Sequence, residues 1–177
     1  MSSLSAILFF LEVIMEEYLK LYERNKILDS EFMNKYINVD QDLHKKNCLE
    51  LIVELGELAN ESRCFKYWSI KKSNKDMVVE EYADCLLMVL YMFNYYNVVN
   101  IYTIDNEYSD DILFVFNDLI RMCTKFMDDI NINEEYLMNV FNYLLHLGKL
   151  LGFTKEEITL ACYNKIMKNE ERLNSNY

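Results

Sequence analysis

The sequence predicts an all-α fold, a helical bundle of about five to seven helices in a single domain over residues 1–177. Three observations predict it. The chain has no proline and only three glycines, whereas a turn-rich β protein needs both at its corners. Its apolar residues recur at spacings of three and four rather than two. Hydrophobic residues make up 52% of the sequence, which is enough for a core and excludes an intrinsically disordered chain.

The first helix is expected over Leu4–Glu23, with a short helical piece after Asp29. Its apolar run from Ala6 to Met15 is interrupted by Glu12, and no Lys or Arg precedes Lys20. That lacks the cationic start of a signal peptide, and the run is too short to span a bilayer. It reads as a core helix of a cytoplasmic protein. Asp40 is placed to cap a long helix reaching Tyr67 or so, and SIKKSNKD (69–76) reads as a loop. The next helix is expected from about Met77 to Asn97. The segment Val98–Glu107 is the least regular and reads as a loop or a lid. Ser109 precedes DDILFVFNDLIRMC, and Asn133 precedes EEYLMNVFNYLLHLGKLL. Both read as caps followed by an acidic first turn. Gly152 suits the residue just past a helix end. Thr154 and Glu157 form a T-x-x-E capping box with Phe153 as a hydrophobic staple. They open a last helix ending near Arg172.

Charge narrows the function. Lys and Arg number 18 and Asp and Glu 29, a formal net charge of −11. Binding to a nucleic-acid backbone requires surplus cations, and anionic membrane surfaces also attract basic segments. Neither partner is expected. The five cysteines are odd in number and form no C-x-x-C pair or His/Cys cluster. That argues against a disulfide framework or a zinc site and for a reducing compartment. His44 is expected to be exposed and His146 to be a satisfied core or interface residue.

The chemistry is carried by acids that sit where they should not. Glu50, Glu54, Glu57 and Glu61 fall within about 60° on one helix face. Leu51, Leu55 and Leu58 border that stripe on one side, and Val53 and Cys64 on the other. Like charges at these spacings repel even in water, and beside a core they need neutralisation or a cation. Glu81 and Asp84 repeat the anomaly among Met77, Cys85, Met88 and Met92. The result is E54-x-x-E57 followed, 24 positions on, by E81-x-x-D84. Two antiparallel helices can bring both pairs to one cavity. Four carboxylates with no histidine among them are a hard, all-oxygen set, suited to Mg2+ or Mn2+ rather than zinc. The bland reading of the same residues is an acidic surface on two helices.

Magnesium held by a few carboxylates takes phosphate oxygens as further ligands. Lys165, Lys168 and Arg172 share a face of the last helix near Asn169, and Arg63 and Lys66 flank the acidic helix. Cations near a helix C-terminus also meet the dipole favourably without any ligand. Trp68, the only tryptophan, can stack on a base or simply fill a core.

The stretch ELGELANESRCFKYWS (Glu54–Ser69), followed by EEYADCLLMVL (Glu80–Leu90), resembles the dimeric all-α deoxyuridine triphosphatases. These belong to the wider all-α nucleoside triphosphate pyrophosphatases, which include MazG-like proteins. The C-terminal GFTKEEITLACYNKIMKNEERLNSNY resembles that family's closing motif. The similarity covers residues 40–100 and 145–177, and the remainder only loosely. It implies magnesium-dependent hydrolysis of dUTP to dUMP and pyrophosphate by a homodimer whose site borrows residues from its partner. It implies that Glu54, Glu57, Glu81 and Asp84 hold metal, that Lys165 and Arg172 grip phosphates, and that Asn169 and Tyr177 lie nearby. In N25-K-I-L-D29, Asn25 stands where the family has a uracil-reading Gln and is one methylene shorter. Ile166 and Leu173 stand where the family often has Asn and Gln, a loss of polar groups expected on the ligand side. Glu54 is the expected base for an attacking water. Two alternatives stay open. One is a MazG-like pyrophosphatase acting on dCTP or non-standard nucleotides. The other is a catalytically silent helical interaction module built on the chain's 10 Met and 14 Tyr.

Overall fold

A computed structural model describes residues 3–36, 43–98, 101–104, 107–128 and 134–175, with side chains from residue 16 onward. The described residues form six helices and no strand: α1 Ser3–Tyr36, α2 Leu43–Ser62, α3 Lys75–Tyr95, α4 Ile112–Asp128, α5 Glu134–Leu150 and α6 Lys155–Asn174. Among them, no helix is long and apolar enough to cross a membrane.

The expected break after Glu23 does not occur, and α1 is one helix of 34 residues. The reason is a stripe that never lapses. Tyr18, Leu21, Tyr22, Asn25, Leu28 and Asp29 are all buried, at the three-and-four spacing of one helix face. No Gly or Pro interrupts it. The stripe turns from apolar to polar at Asn25 and Asp29, where α1 reaches the cavity described below.

α2 is shorter than expected and stops at Ser62. Arg63 adopts a left-handed backbone (φ 61°), and its N–H donates to the Ala59 carbonyl at 3.1 Å. The Lys66 ammonium donates to the Asn60 carbonyl at 2.9 Å, a cation satisfying the helix's open C-terminal end. The expected cap at Asp40 lies outside the described residues. His44 is buried (7% exposed), against the expectation of exposure. The start of α2 packs on the end of α3, where the His44 Nδ1 is hydrogen-bonded to the Tyr96 hydroxyl.

α3 is the central helix and packs against α1, α2, α5 and α6. Asn74 caps it by accepting from the Asp76 N–H at 3.0 Å. In its second half the buried residues go all the way round, with Leu86, Leu87, Met88, Val89 and Leu90 buried in succession. A helix segment apolar on every side belongs in a core. Tyr82 crosses to α5, and its hydroxyl donates to the Leu144 carbonyl at 2.9 Å. That crossing requires Gly148, because a Cβ there would lie 2.7 Å from the Tyr82 oxygen.

In the segment expected as a loop or a lid, the described residues around Tyr102 and Ile104 are tied to α5. Asn142 of α5 accepts from the Ile104 N–H at 2.9 Å and donates to the Tyr102 carbonyl at 3.2 Å. His146 lies 2.8 Å from the Ser109 carbonyl and stacks on Tyr108. α4 is capped by Asp111 rather than Ser109, since the Asp111 carboxylate accepts from the Leu113 N–H at 2.9 Å. The other expected cap, Asn133, lies outside the described residues. α5 ends in a Schellman motif, with Gly152 at φ 76°, its N–H on the Lys149 carbonyl and the Phe153 N–H on the Gly148 carbonyl. Thr154 and Glu157 form the capping box that starts α6.

Candidate active site

α2 and α3 run antiparallel. Glu54 and Glu57 of α2 meet Glu81 of α3, while Asn47, two turns earlier on α2, shares a wall with Tyr91, further along α3. α1 and α6 close the other sides, enclosing a cavity of about 480 Å³. That volume suits a small organic ligand. Asn25, Asp29 and Phe32 line it from α1, Asn47, Glu50 and Glu54 from α2, Asp84, Met88 and Tyr91 from α3, and Lys165, Asn169 and Arg172 from α6.

At one end the carboxylate cluster meets the cavity through Glu54, which lines it, while Glu57 and Glu81 stand outside its wall. Glu54, Glu57 and Glu81 each offer an oxygen, and these oxygens lie within 4.8 Å of one another. Asp84 adjoins them, but its Oδ2 accepts from the Lys165 ammonium at 2.6 Å. Burial, with Asp84 and Glu57 nearby, pushes the Glu54 carboxyl up to about 7. Burial and the same two neighbours raise Glu81. Burial raises Asp84 as well, in spite of Lys165. All three shifts have one cause, negative charge held out of water without enough compensation. The donor set is three clustered carboxylates with a fourth beside them, all oxygen. It fits a magnesium or manganese ion.

Lys165, Asn169 and Arg172 lie on one face of α6, and all three line the cavity. The Arg172 guanidinium donates to the Asn169 carbonyl oxygen at 3.3 Å. Lys168 does not join them. It turns to Glu80, with its ammonium 2.5 Å from the carboxylate. Ile166 is 1% exposed in the core, and Leu173 packs against that core. Neither removes a polar group from the cavity wall, because α6 presents residues 158, 162 and 166 inward while 165, 169 and 172 face the cavity.

The other end of the cavity is apolar with buried polar groups. The Asn25 amide donates to the Leu87 carbonyl at 3.2 Å and to the Asp29 carboxylate at 3.4 Å. Asn94 approaches the same carboxylate oxygen at 3.5 Å. Burial pushes the Asp29 carboxyl up to about 7, with the Asn94 contact opposing.

Two residues expected at the ligand are not in the cavity wall. Trp68 is 65% exposed and packs edge-on against Phe65 and Tyr67 in the loop after α2. Lys66 closes the end of α2 as described. Tyr177 lies outside the described residues. Conversely, Asp29, Asn47 and Tyr91 line the cavity without having been singled out as site residues. A signal existed for two of them. Asn47 lies seven residues before Glu54 and Tyr91 seven after Asp84, two turns along the same helix faces.

Residues 17–177 match the family described as dUTPase, including the stretch between 101 and 144 that the sequence motifs covered loosely. No curated protein matches the chain.

Proposed function

Since the chain belongs to the dUTPase family and is a dUTP diphosphatase, we propose that this cavity binds the nucleotide with its triphosphate at the carboxylate end. The observation that carries the reading is the set of three carboxylate oxygens within 4.8 Å, joined through Glu54 to a cavity that Lys165 and Arg172 also line. A triphosphate needs both, since its charge must be met by cations and its metal by hard oxygen donors.

Glu54, Glu57 and Glu81 would hold magnesium or manganese, with Asp84 beside them. Bound there, the ion supplies neutralisation of phosphate charge and makes water more acidic. Glu54 belongs both to the carboxylate cluster and to the cavity wall, so it is positioned to take the proton of an attacking water. The water oxygen attacks a phosphorus in line. A new P–O bond forms, the bridge between dUMP and pyrophosphate breaks, and pyrophosphate leaves with the electron pair. Lys165 keeps donors free beyond its bond to Asp84, because an ammonium has three. Lys165 and Arg172 stabilise the charge that develops on the phosphates. Asn25 and Asp29 lie at the opposite end, where the base would sit. The active form is a homodimer.

The test is pyrophosphate release from dUTP, dCTP, dTTP and UTP, each with magnesium and with EDTA. Magnesium-dependent turnover of dUTP above the others is the expected result. Turnover that survives EDTA would remove the metal from the reading, and preferred turnover of dCTP would reassign the base.

A further inference from the structure

The base end of the cavity holds one hydrogen-bond donor that the fold leaves unused. Asn47 is 4% exposed and lines the cavity, yet its amide nitrogen has no hydrogen-bond partner. The neighbouring Tyr91 hydroxyl senses that amide, at a geometry short of a hydrogen bond, and itself points to the Met33 sulfur at 3.7 Å. A buried amide N–H without a partner is costly, so its persistence calls for a ligand.

Asn25 cannot fill the same role. Its amide nitrogen already donates to the Leu87 carbonyl and the Asp29 carboxylate, and an amide has two N–H groups to give. A donor toward the base has to come from elsewhere. Asn47 stands seven residues from Glu54 on the same face of α2, which is about 10 Å along the helix. That offset is of the size separating a pyrimidine's edge from its phosphates. The surrounding walls are apolar, with Leu28, Phe32, Leu87 and Met88, as the faces of a flat ring require.

We propose that Asn47 is the specificity-determining residue of this site, donating its free amide N–H to a carbonyl of the uracil ring at the position where cytosine carries an amino group. The proposal rests on the dUTP reading above. Uracil and thymine present an acceptor there and cytosine a donor. With cytosine, two donors face each other and the Asn47 N–H stays unpaired. A site built around such a hydrogen bond discriminates strongly against the analogue that cannot make it.

The experiment compares kcat/KM for dUTP and dCTP in the wild type, Asn47→Ala and Asn47→Asp, with thermal unfolding to establish that each variant is folded. Calorimetry with dUMP and dCMP runs alongside and needs no turnover. The ratio of dUTP to dCTP is expected to fall about 10–100-fold in Asn47→Ala, and further in Asn47→Asp, which exchanges a donor for an acceptor. A ratio unchanged in both folded variants overturns the proposal, as does a wild type that prefers dCTP. A wild type that turns over no dUTP, but prefers dUMP to dCMP through Asn47 in calorimetry, would sink the enzymatic reading and keep this one.

Discussion

Replacing Glu54 with Gln should stabilise the metal-free protein while stopping the reaction. In the folded chain Glu54 titrates near 7 in place of 4.5. At 1.36 kcal/mol per pH unit, its anion is destabilised by about 3 kcal/mol. Glu54 is only half-buried, and solvent screening reduces that to about 1–2 kcal/mol. The sign follows from linkage. A carboxyl with a raised folded pKa binds more protons folded than unfolded, so stability is full below about 4.5 and is lost as pH climbs to about 7. Glutamine does not titrate, so the variant keeps what the wild type loses. Asp29 adds to the same slope, since burial also raises it to about 7, but it is present in both proteins and cancels in the difference. In EDTA, Glu54→Gln and wild type should melt within about 1 °C of each other at pH 4.5. At pH 8 the variant should melt about 2–8 °C higher. Millimolar magnesium should narrow that gap by stabilising the wild type more, by mass action. Turnover of dUTP should drop by about 10²–10⁴-fold, the usual worth of a positioned base. A variant no more stable than wild type in EDTA at pH 8 would refute the claim that the cluster holds uncompensated charge.

Three further outcomes follow from the packing and the cation wall. Gly148→Ala places a Cβ 2.7 Å from the Tyr82 oxygen and should cost about 1–3 kcal/mol in urea unfolding, with part of the loss recovered in the double variant with Tyr82→Phe. Thr154→Ala removes the side-chain half of the capping box and should cost about 1 kcal/mol, read as a lower denaturation midpoint at unchanged m. Lys165→Met leaves Asp84 without its 2.6 Å partner and takes a cation from the phosphate wall, so kcat/KM for dUTP should fall about 10–100-fold. A Lys165→Met enzyme with wild-type kcat/KM would place the phosphates elsewhere.

Much of this molecule was legible because helix physics is local. The capping box at Thr154, the turn at Gly152 and the shared face of Glu54 and Glu57 depend on residues one to four positions apart. So did the reading of Glu81 and Asp84 as acids set among apolar neighbours. Two predictions failed because a distant segment decides. α1 continues past Glu23 because its stripe has other helices to pack on, and an isolated periodicity count stops where the apolar residues thin out. His44 looked like a surface residue until the end of α3 was laid over it, with Tyr96 as its partner. Trp68 and Lys66 follow the acidic helix in sequence, but Lys66 is bonded back onto Asn60 and Trp68 packs on Phe65 and Tyr67, so neither lines the cavity.

That the chain is helical and acidic, with two carboxylate pairs on helix faces beside apolar residues, can be read from its residues alone. These follow from composition and from a period of 3.6 residues. Which of those groups meet depends on how the helices pack. Packing set the 2.6 Å bond between Lys165 and Asp84, 81 residues apart, and the 4.8 Å cluster drawn from two helices. It also left Asn47 buried in a cavity wall with its amide nitrogen unpaired. A spacing fixes the direction of a side chain about its own helix axis, while burial and partner depend on which other helix stands across from it.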